Sequence, residues 1–255
     1  MKKNIITLAF AMAITTILSA QEYKLAKSTG RLEIKEVNNV TIEGYNGNEI
    51  IFTSADRSRD GDDRAKGLRA VSSMGLEDNT GIGISVVDKG TVIQVAQLKK
   101  MDGPKVRIQV PKGVTVFFSH TSPHGSTVRF KNVEGEIEVS TVHNNVELEN
   151  VTGPMDIKTV HGNIEADLNT NLKGPVSIKS VHGHVDVTIP LATKAAMNLS
   201  TTWGEIFIDP AIKLDIEPKS DYVKYGSNNV NGKTNGGGIE FTLSSTHDNI
   251  YLRKK

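Results

Sequence analysis

The sequence predicts an all-β chain wound as a right-handed, single-stranded parallel β-helix (β-solenoid) with coils of about 18–21 residues. Three observations predict it. The first is a set of four nine-residue windows that superimpose almost letter for letter: Ser-Thr-Val-His-Asn-Asn-Val-Glu-Leu ending at Leu148, Lys-Thr-Val-His-Gly-Asn-Ile-Glu-Ala at Ala166, Lys-Ser-Val-His-Gly-His-Val-Asp-Val at Val187, and Ser-Thr-Thr-Trp-Gly-Glu-Ile-Phe-Ile at Ile208. The second is their spacing of 18, 21 and 21 residues, which is one turn of a coil and too short for an independent fold. The third is a slip of phase inside each unit. Apolar residues alternate with period two, the strand signature, and then change parity: Ile157 and Thr159 precede Val160, Ile164 and Ala166, and Ile178 and Ser180 precede Val181, Val185 and Val187. Such a slip puts both halves on one interior only if the chain bends between them, and a bend at a fixed phase is what a coil needs.

Coils joined in this way set equivalent strands parallel at about 4.8 Å, and parallel connections are overwhelmingly right-handed. Gly135, Gly153, Gly162, Gly174, Gly183 and Gly204 mark the turns. Upstream the rhythm is looser but still strand-like, from Leu32-Glu-Ile-Lys and Val40-Thr-Ile-Glu to Val106-Arg-Ile-Gln-Val. Two excursions leave it, near residues 54–81 and 220–238, and Ser-Thr-His-Asp-Asn-Ile-Tyr-Leu ending at Leu252 restores it. Both ends of such a stack require a cap, because an uncovered edge aggregates.

Residues 1–20 read as a signal peptide: Lys2 and Lys3 precede an apolar run from Ile5 to Leu18, with small residues before Gln21. The remainder, 21–255, reads as a single β-helix domain, exported and then periplasmic, cell-surface or extracellular. With no cysteine there are neither disulfides nor a thiol for a lipid anchor. A formal charge of +1, from 30 basic and 29 acidic residues, gives no electrostatic reason to expect nucleic acid or an anionic membrane as partner. No integral membrane segment is expected after signal cleavage, and the oligomeric state is not legible.

The run Leu32-Glu-Ile-Lys-Glu-Val-Asn-Asn-Val-Thr-Ile-Glu-Gly, the Gly-x-Ile/Val-x-x-x-Thr/Ser-Val-x-Gly rhythm from Gly135 to Gly183, and the closing Gly-Gly-Ile-Glu-Phe to Asn-Ile-Tyr-Leu resemble the bacterial β-strand-repeat domain of unknown function that is labelled as an adhesin. The resemblance covers essentially the whole mature chain. It implies an exported β-solenoid linked to the cell surface or envelope, and it brings no catalytic residues with it.

Outward positions are copied along with inward ones. If Val181, Gly183 and Val185 face inward, His182, His184 and Asp186 face outward, beside His161, Asn163 and Glu165 and then His143, Asn145 and Glu147. Imidazoles and carboxylates in such a patch suit a divalent metal, with His143, His161, His182, His184, Glu147, Glu165 and Asp186 as the candidate ligands. The competing reading is an ordinary solvated ladder, since a repeat copies its surface whether or not the surface acts. Trp203, Phe207 and Tyr251 are the outward aromatics and the candidate partner-binding residues.

Weaker echoes are discounted. Asp56-x-Ser58-x-Asp60-Gly61-Asp62 begins like a calcium loop but carries Gly67 where the bidentate acid belongs. Asn231 to Gly238 lacks the spacing of a phosphate loop and reads as a mobile loop. Ser119, His120, Ser122 and His124 read as loop residues without an orienting acid. The expected function is therefore a non-enzymatic exported scaffold, an adhesin or envelope-associated protein without a required cofactor, that binds a protein or glycan partner. Metal binding by the histidine patch is the alternative, and a carbohydrate-active β-helix enzyme is the more remote one, for which only Lys158 and Lys179 offer a stacked basic pair.

Overall fold

The computed structural model describes residues 21–54, 63–65, 67–216 and 228–255. The expected signal peptide and the residues from Asp56 to Asp62 lie outside the described residues, as do parts of both excursions. In chain order the strands are β1 (Glu22–Leu25), β2 (Thr29–Lys35), β3 (Asn39–Tyr45), β4 (Ile50–Ser54), β5 (Ile84–Asp88), β6 (Val92–Gln97), β7 (Lys105–Pro111), β8 (Gly113–His120), β9 (Val128–Lys131), β10 (Ile137–Thr141) and β11 (Val146–Val151). They continue as β12 (Met155–Thr159), β13 (Ile164–Leu168), β14 (Val176–Ser180), β15 (Val185–Ile189), β16 (Ala195–Thr201), β17 (Ile206–Ile208), β18 (Leu214–Ile216), β19 (Asn228–Thr234), β20 (Ile239–Ser245) and β21 (Ile250–Lys254). One 3₁₀ turn, Asp63–Ala65, is the only helical element among the described residues. No helix among them is long and apolar enough to cross a membrane.

The strands form two sheets rich in parallel pairs, and from β8 to β17 the chain alternates between them, one strand in each per repeat. Residues one repeat apart are lateral neighbours, as expected: Val139 lies beside Ile157, Ile157 beside Ile178, and Lys158 beside Lys179. Facing side chains of the two sheets fill the space between them with a single aliphatic cluster that runs from Leu32 to Leu252, with Phe52, Phe118, Phe130 and Phe241 fully buried in it. The phase slip is real, but the bend falls slightly later than the sequence indicates. Val142, Val160 and Val181 sit half-buried at the corner, and the next inward position is taken by Asn144, Gly162 and Gly183.

The order of the rungs departs from the order of the sequence. The window ending at Ile208 does not lie against the window ending at Val187. Instead β20 and β21 enter between them, so that β14 pairs with β20 and β15 with β21, while β16 and β17 are displaced outward by one rung. The start of the chain is interleaved in the same manner, with β2 between β6 and β8 and β3 between β7 and β9. Near-identical windows present the same aliphatic ladder to any neighbour, so their sequence order does not choose among rung orders.

The device that delivers β20 is a strand inside the second excursion. Asn228–Thr234, expected as loop, is a strand that pairs antiparallel with the outer edge of β16. The chain then turns through Asn235, Gly236 and Gly237, all at positive φ, and passes under the start of β16, where the Ile239 amide donates to Lys194 O. An Asn-Gly-Gly run is suited to three successive left-handed conformations. The caps are now visible as well: β5 lies antiparallel on β6, β4 and β1 close the same end of the other sheet, and β19 and β18 close the far end of one sheet.

Candidate functional site

The corner between the two sheets is held by a ladder of buried hydroxyls. Thr141, Thr159, Ser180, Ser245 and Thr201 occupy equivalent positions, and each accepts a hydrogen bond from the amide three residues on, as from Gly162 to Thr159 at 3.0 Å and from Gly183 to Ser180 at 2.9 Å. From Thr159 onward each also donates to the carbonyl of the neighbouring rung: Thr159 to Asn144, Ser180 to Gly162, Ser245 to Gly183 and Thr201 to Asp248. A hydroxyl can do both at once, which explains why Ser and Thr stand at an inward position otherwise reserved for apolar residues. These bonds draw the rungs so close that a Cβ on Gly162 would lie 1.8 Å from Asn144 O, and one on Gly183 would lie 2.1 Å from Gly162 O.

Outside this corner stands the predicted histidine row, with one more member than expected. His143 and His161 stack at 5.1 Å between ring centroids, His161 and His182 at 4.8 Å, and His182 and His247 at 4.6 Å, with planes within 13° of parallel. The spacing is that of the strands themselves. All four rings are exposed at their edges. Loss of water around His182 in the stack, followed by the charges of His247 and His161, holds its pKa below the usual histidine value. His247 was legible once the window ending at Leu252 is laid on the one ending at Val187; what hid it was the assumption that rungs follow sequence order.

The amide row has a structural task. Asn145 Oδ1 accepts from the Asn163 amide, Asn163 Oδ1 from the His184 amide and Asn249 Oδ1 from the Glu205 amide, so these side chains stitch rung to rung. His184 stands in this row, 3.9 Å from Glu165 and edge-on to Tyr251. The carboxylates lie one row further along, and two arginines that the sequence reading overlooked bracket them: Arg129 on Glu147 at 2.6 Å and Arg253 on Asp186 at 2.8 Å. Lys131 pairs with Glu149 and Lys255 with Asp167 on the adjacent row. The structure thus brings His143, His161 and His182 into one line, and sets His184, Glu147, Glu165 and Asp186 apart from that line. Among the described residues no three His, Asp or Glu side chains gather in a form that could hold a metal ion.

All three partner-binding candidates lie on this same side, at its far end. Trp203 occupies the position of His247 on the outermost rung and is 71% exposed; Phe207 is 44% exposed and stacks on Tyr251 at 5.3 Å, and the Arg253 guanidinium lies over the Tyr251 ring at 5.3 Å. The face therefore runs from stacked imidazoles and paired charges to bare aromatics.

His120, expected as a loop residue, instead ends β8 and is fully buried against Phe118. Asn38 donates through Nδ2 to Lys100 O, so its Oδ1 accepts from His120 Nε2–H at 3.0 Å, and Nδ1 is left buried without a partner. Burial lowers its pKa; Glu36 acts in the opposite sense, and His143 and His124 reinforce burial. A histidine whose folded pKa is depressed takes up its proton first in the unfolded chain. Its contribution is complete above about pH 6.5 and is lost as pH falls through and below that value. Thermal unfolding is accordingly expected at progressively lower temperature between pH 7 and pH 5, with a shallower dependence in His120→Gln; an equal slope in both proteins would show that the acid sensitivity lies elsewhere.

Comparison with solved structures finds similarity to a "putative cell adhesion protein" from Clostridium sporogenes ATCC 15579, at 12% identity over 93% of this chain and 100% of that one, with a TM-score of 0.46. It also finds similarity to a "putative adhesin" from Bacteroides fragilis NCTC 9343, at 10% identity over 93% of this chain and 98% of that one, with a TM-score of 0.39. No curated protein matches the chain. Residues 125–253, the portion that carries the hydroxyl ladder, the histidine row and the interleaved last rung, match the domain family described as Toastrack DUF4097, and the chain belongs to that family.

Proposed function

We propose that this chain is a non-enzymatic exported scaffold, its parallel rungs wound as a right-handed single-stranded β-helix between antiparallel caps, whose corner face holds a protein or glycan partner at the cell envelope. The observation that carries the reading is the end of that face: Trp203, the most exposed aromatic ring among the described residues, beside the Phe207–Tyr251 stack. Exposed aromatics on a rigid β surface offer large contact area at little cost in side-chain entropy. The right-handed winding is supported by the parallel, in-register pairing and the strong preference of parallel crossovers for that hand. The basic and then apolar first 20 residues support export. Against an enzyme of the polysaccharide-cleaving kind stands the engagement of the carboxylates: Glu147, Glu149, Asp186 and Asp167 are each in an ion pair with an arginine or a lysine.

The test uses isolated envelopes of the producing bacterium and the deproteinised glycan fraction from them. The double variant Trp203→Ala, Phe207→Ala is expected to associate at least tenfold more weakly than the parent while keeping its circular dichroism and melting temperature; unchanged association would refute the reading. The four-imidazole row supports a second reading, binding of a divalent transition metal after rotation of rings out of the stack. Calorimetric titration with zinc and copper separates the two, because equal heats from the parent and from His161→Ala, His182→Ala would remove it.

A further inference from the structure

We propose that β17 is a docking edge that captures an extended strand from a protein partner, apolar at alternate positions and basic at its C-terminal flank. The inference rests on the reading of the outermost rung as a contact surface and narrows the partner to a polypeptide strand. Three observations carry it.

The first is an unpaired backbone edge. The Ile250 amide donates to Glu205 O and the Asp209 amide to Leu252 O, so residues 205, 207 and 209 turn their peptide groups toward β21. Ile206 and Ile208 therefore turn theirs the other way, where the sheet ends among the described residues. The companion sheet shows how this fold treats an equivalent edge: β16 is covered there by β19, in a seven-residue antiparallel register.

The second is an interior left open. Ile206 and Ile208 occupy the inward positions that are fully buried one rung below, at Ile250 and Leu252, yet both are only partly covered. A further strand supplying two apolar side chains would close the stack at that point.

The third is charge, and it selects the occupant. Glu205 and Asp209 flank the edge. In a second copy of β17, antiparallel pairing about Phe207 sets Glu205 against Asp209 in both directions, and parallel pairing sets each acid against itself. Like charges directly opposite across a ladder are destabilising, so these acids turn away the chain's own edge. The strand that does pair with β17, on its other side, has the complementary character: Ile250-Tyr-Leu followed by Arg253, Lys254 and Lys255, in a register that carries Arg253 alongside Asp209.

The probe is the fluorescein-labelled peptide Asn-Ile-Tyr-Leu-Arg-Lys-Lys, titrated with the full chain and followed by polarisation. Saturable binding is expected that weakens with salt, falls at least tenfold in Ile208→Pro and severalfold in Asp209→Asn, which keeps the Oδ1 that accepts from the Ala211 amide. A peptide of the same composition in scrambled order is expected not to bind. Methylating alternate amides of the peptide tests the edge without altering the chain, since only one of the two alternate sets faces β17 and only that set is expected to abolish binding. Trp203→Ala leaves the edge intact, so it is expected to lose envelope association and keep the peptide. The proposal is overturned by a peptide that does not bind, by equal binding to Ile208→Pro or to both methylated sets, or by a parent chain that is dimeric in light scattering and monomeric as Ile208→Pro, which would assign the edge to a second copy.

Discussion

Deleting residues 239–255 is expected to abolish the folded state, not merely to fray one end of it. In sequence this segment is terminal, but in space β20 and β21 are an interior rung, with β14 and β15 on one side and β16 and β17 on the other. Their removal takes away Phe241, Leu243, Ile250 and Leu252, all essentially fully buried. At about 1.5–3 kcal/mol for each such side chain the loss is of the order of the entire stability of a typical domain. Two sheets would also be left with unpaired edges in their middle. Circular dichroism and urea unfolding decide the matter: a truncated chain that melts cooperatively within a few degrees of the parent would mean that β16 and β17 can settle directly on β14 and β15.

The second large effect is Gly162→Ala, expected to cost about 3–4 kcal/mol, in the range that marks a specific steric or network failure. The residue is not at positive φ, so the cost is one of space. Its new Cβ would meet Asn144 O at 1.8 Å, and separating the rungs there would stretch the bond from Thr159 to the same oxygen. Gly90→Ala provides the contrast: its φ is 84°, and a Cβ there meets nothing within 4 Å. About 1 kcal/mol of backbone strain is expected at that site. Midpoints of urea unfolding measured side by side would show whether the corner is as tightly set as the hydroxyl ladder indicates, and similar losses in the two variants would argue that it is not.

What could be read from the sequence follows a simple physical division. Period-two alternation with a fixed slip reports which side chains share an interior, and so the parallel pairing of Ile157 with Ile178 and the outward row of His143, His161 and His182 were legible. Position in the stack is another matter, because it is decided by the end-on match between rungs, and rungs that are near copies match almost equally well. For that reason His247 stood unrecognised as the fourth ring and Trp203 was placed one rung too close. Arg129 and Arg253 escaped notice for a related cause: each belongs to a rung whose alignment with the acidic row depends on rung order or on the looser upstream repeat. His120 ends the hydroxyl ladder at the position of Thr141, where a ring in place of a hydroxyl breaks the repeat that would mark it as inward.

The interleaving of β20 and β21 bears on how the molecule comes into being. A ribosome makes β16 and β17 well before β20, and at that moment the shelf on β14 and β15 that the finished protein reserves for a later arrival still stands open. The window from Ser200 to Ile208 matches that shelf nearly as well as the rightful tenant does. Nascent chains therefore face a choice between holding back and occupying a decoy berth from which they must later be evicted, and a slow refolding phase without any proline signature is its natural symptom.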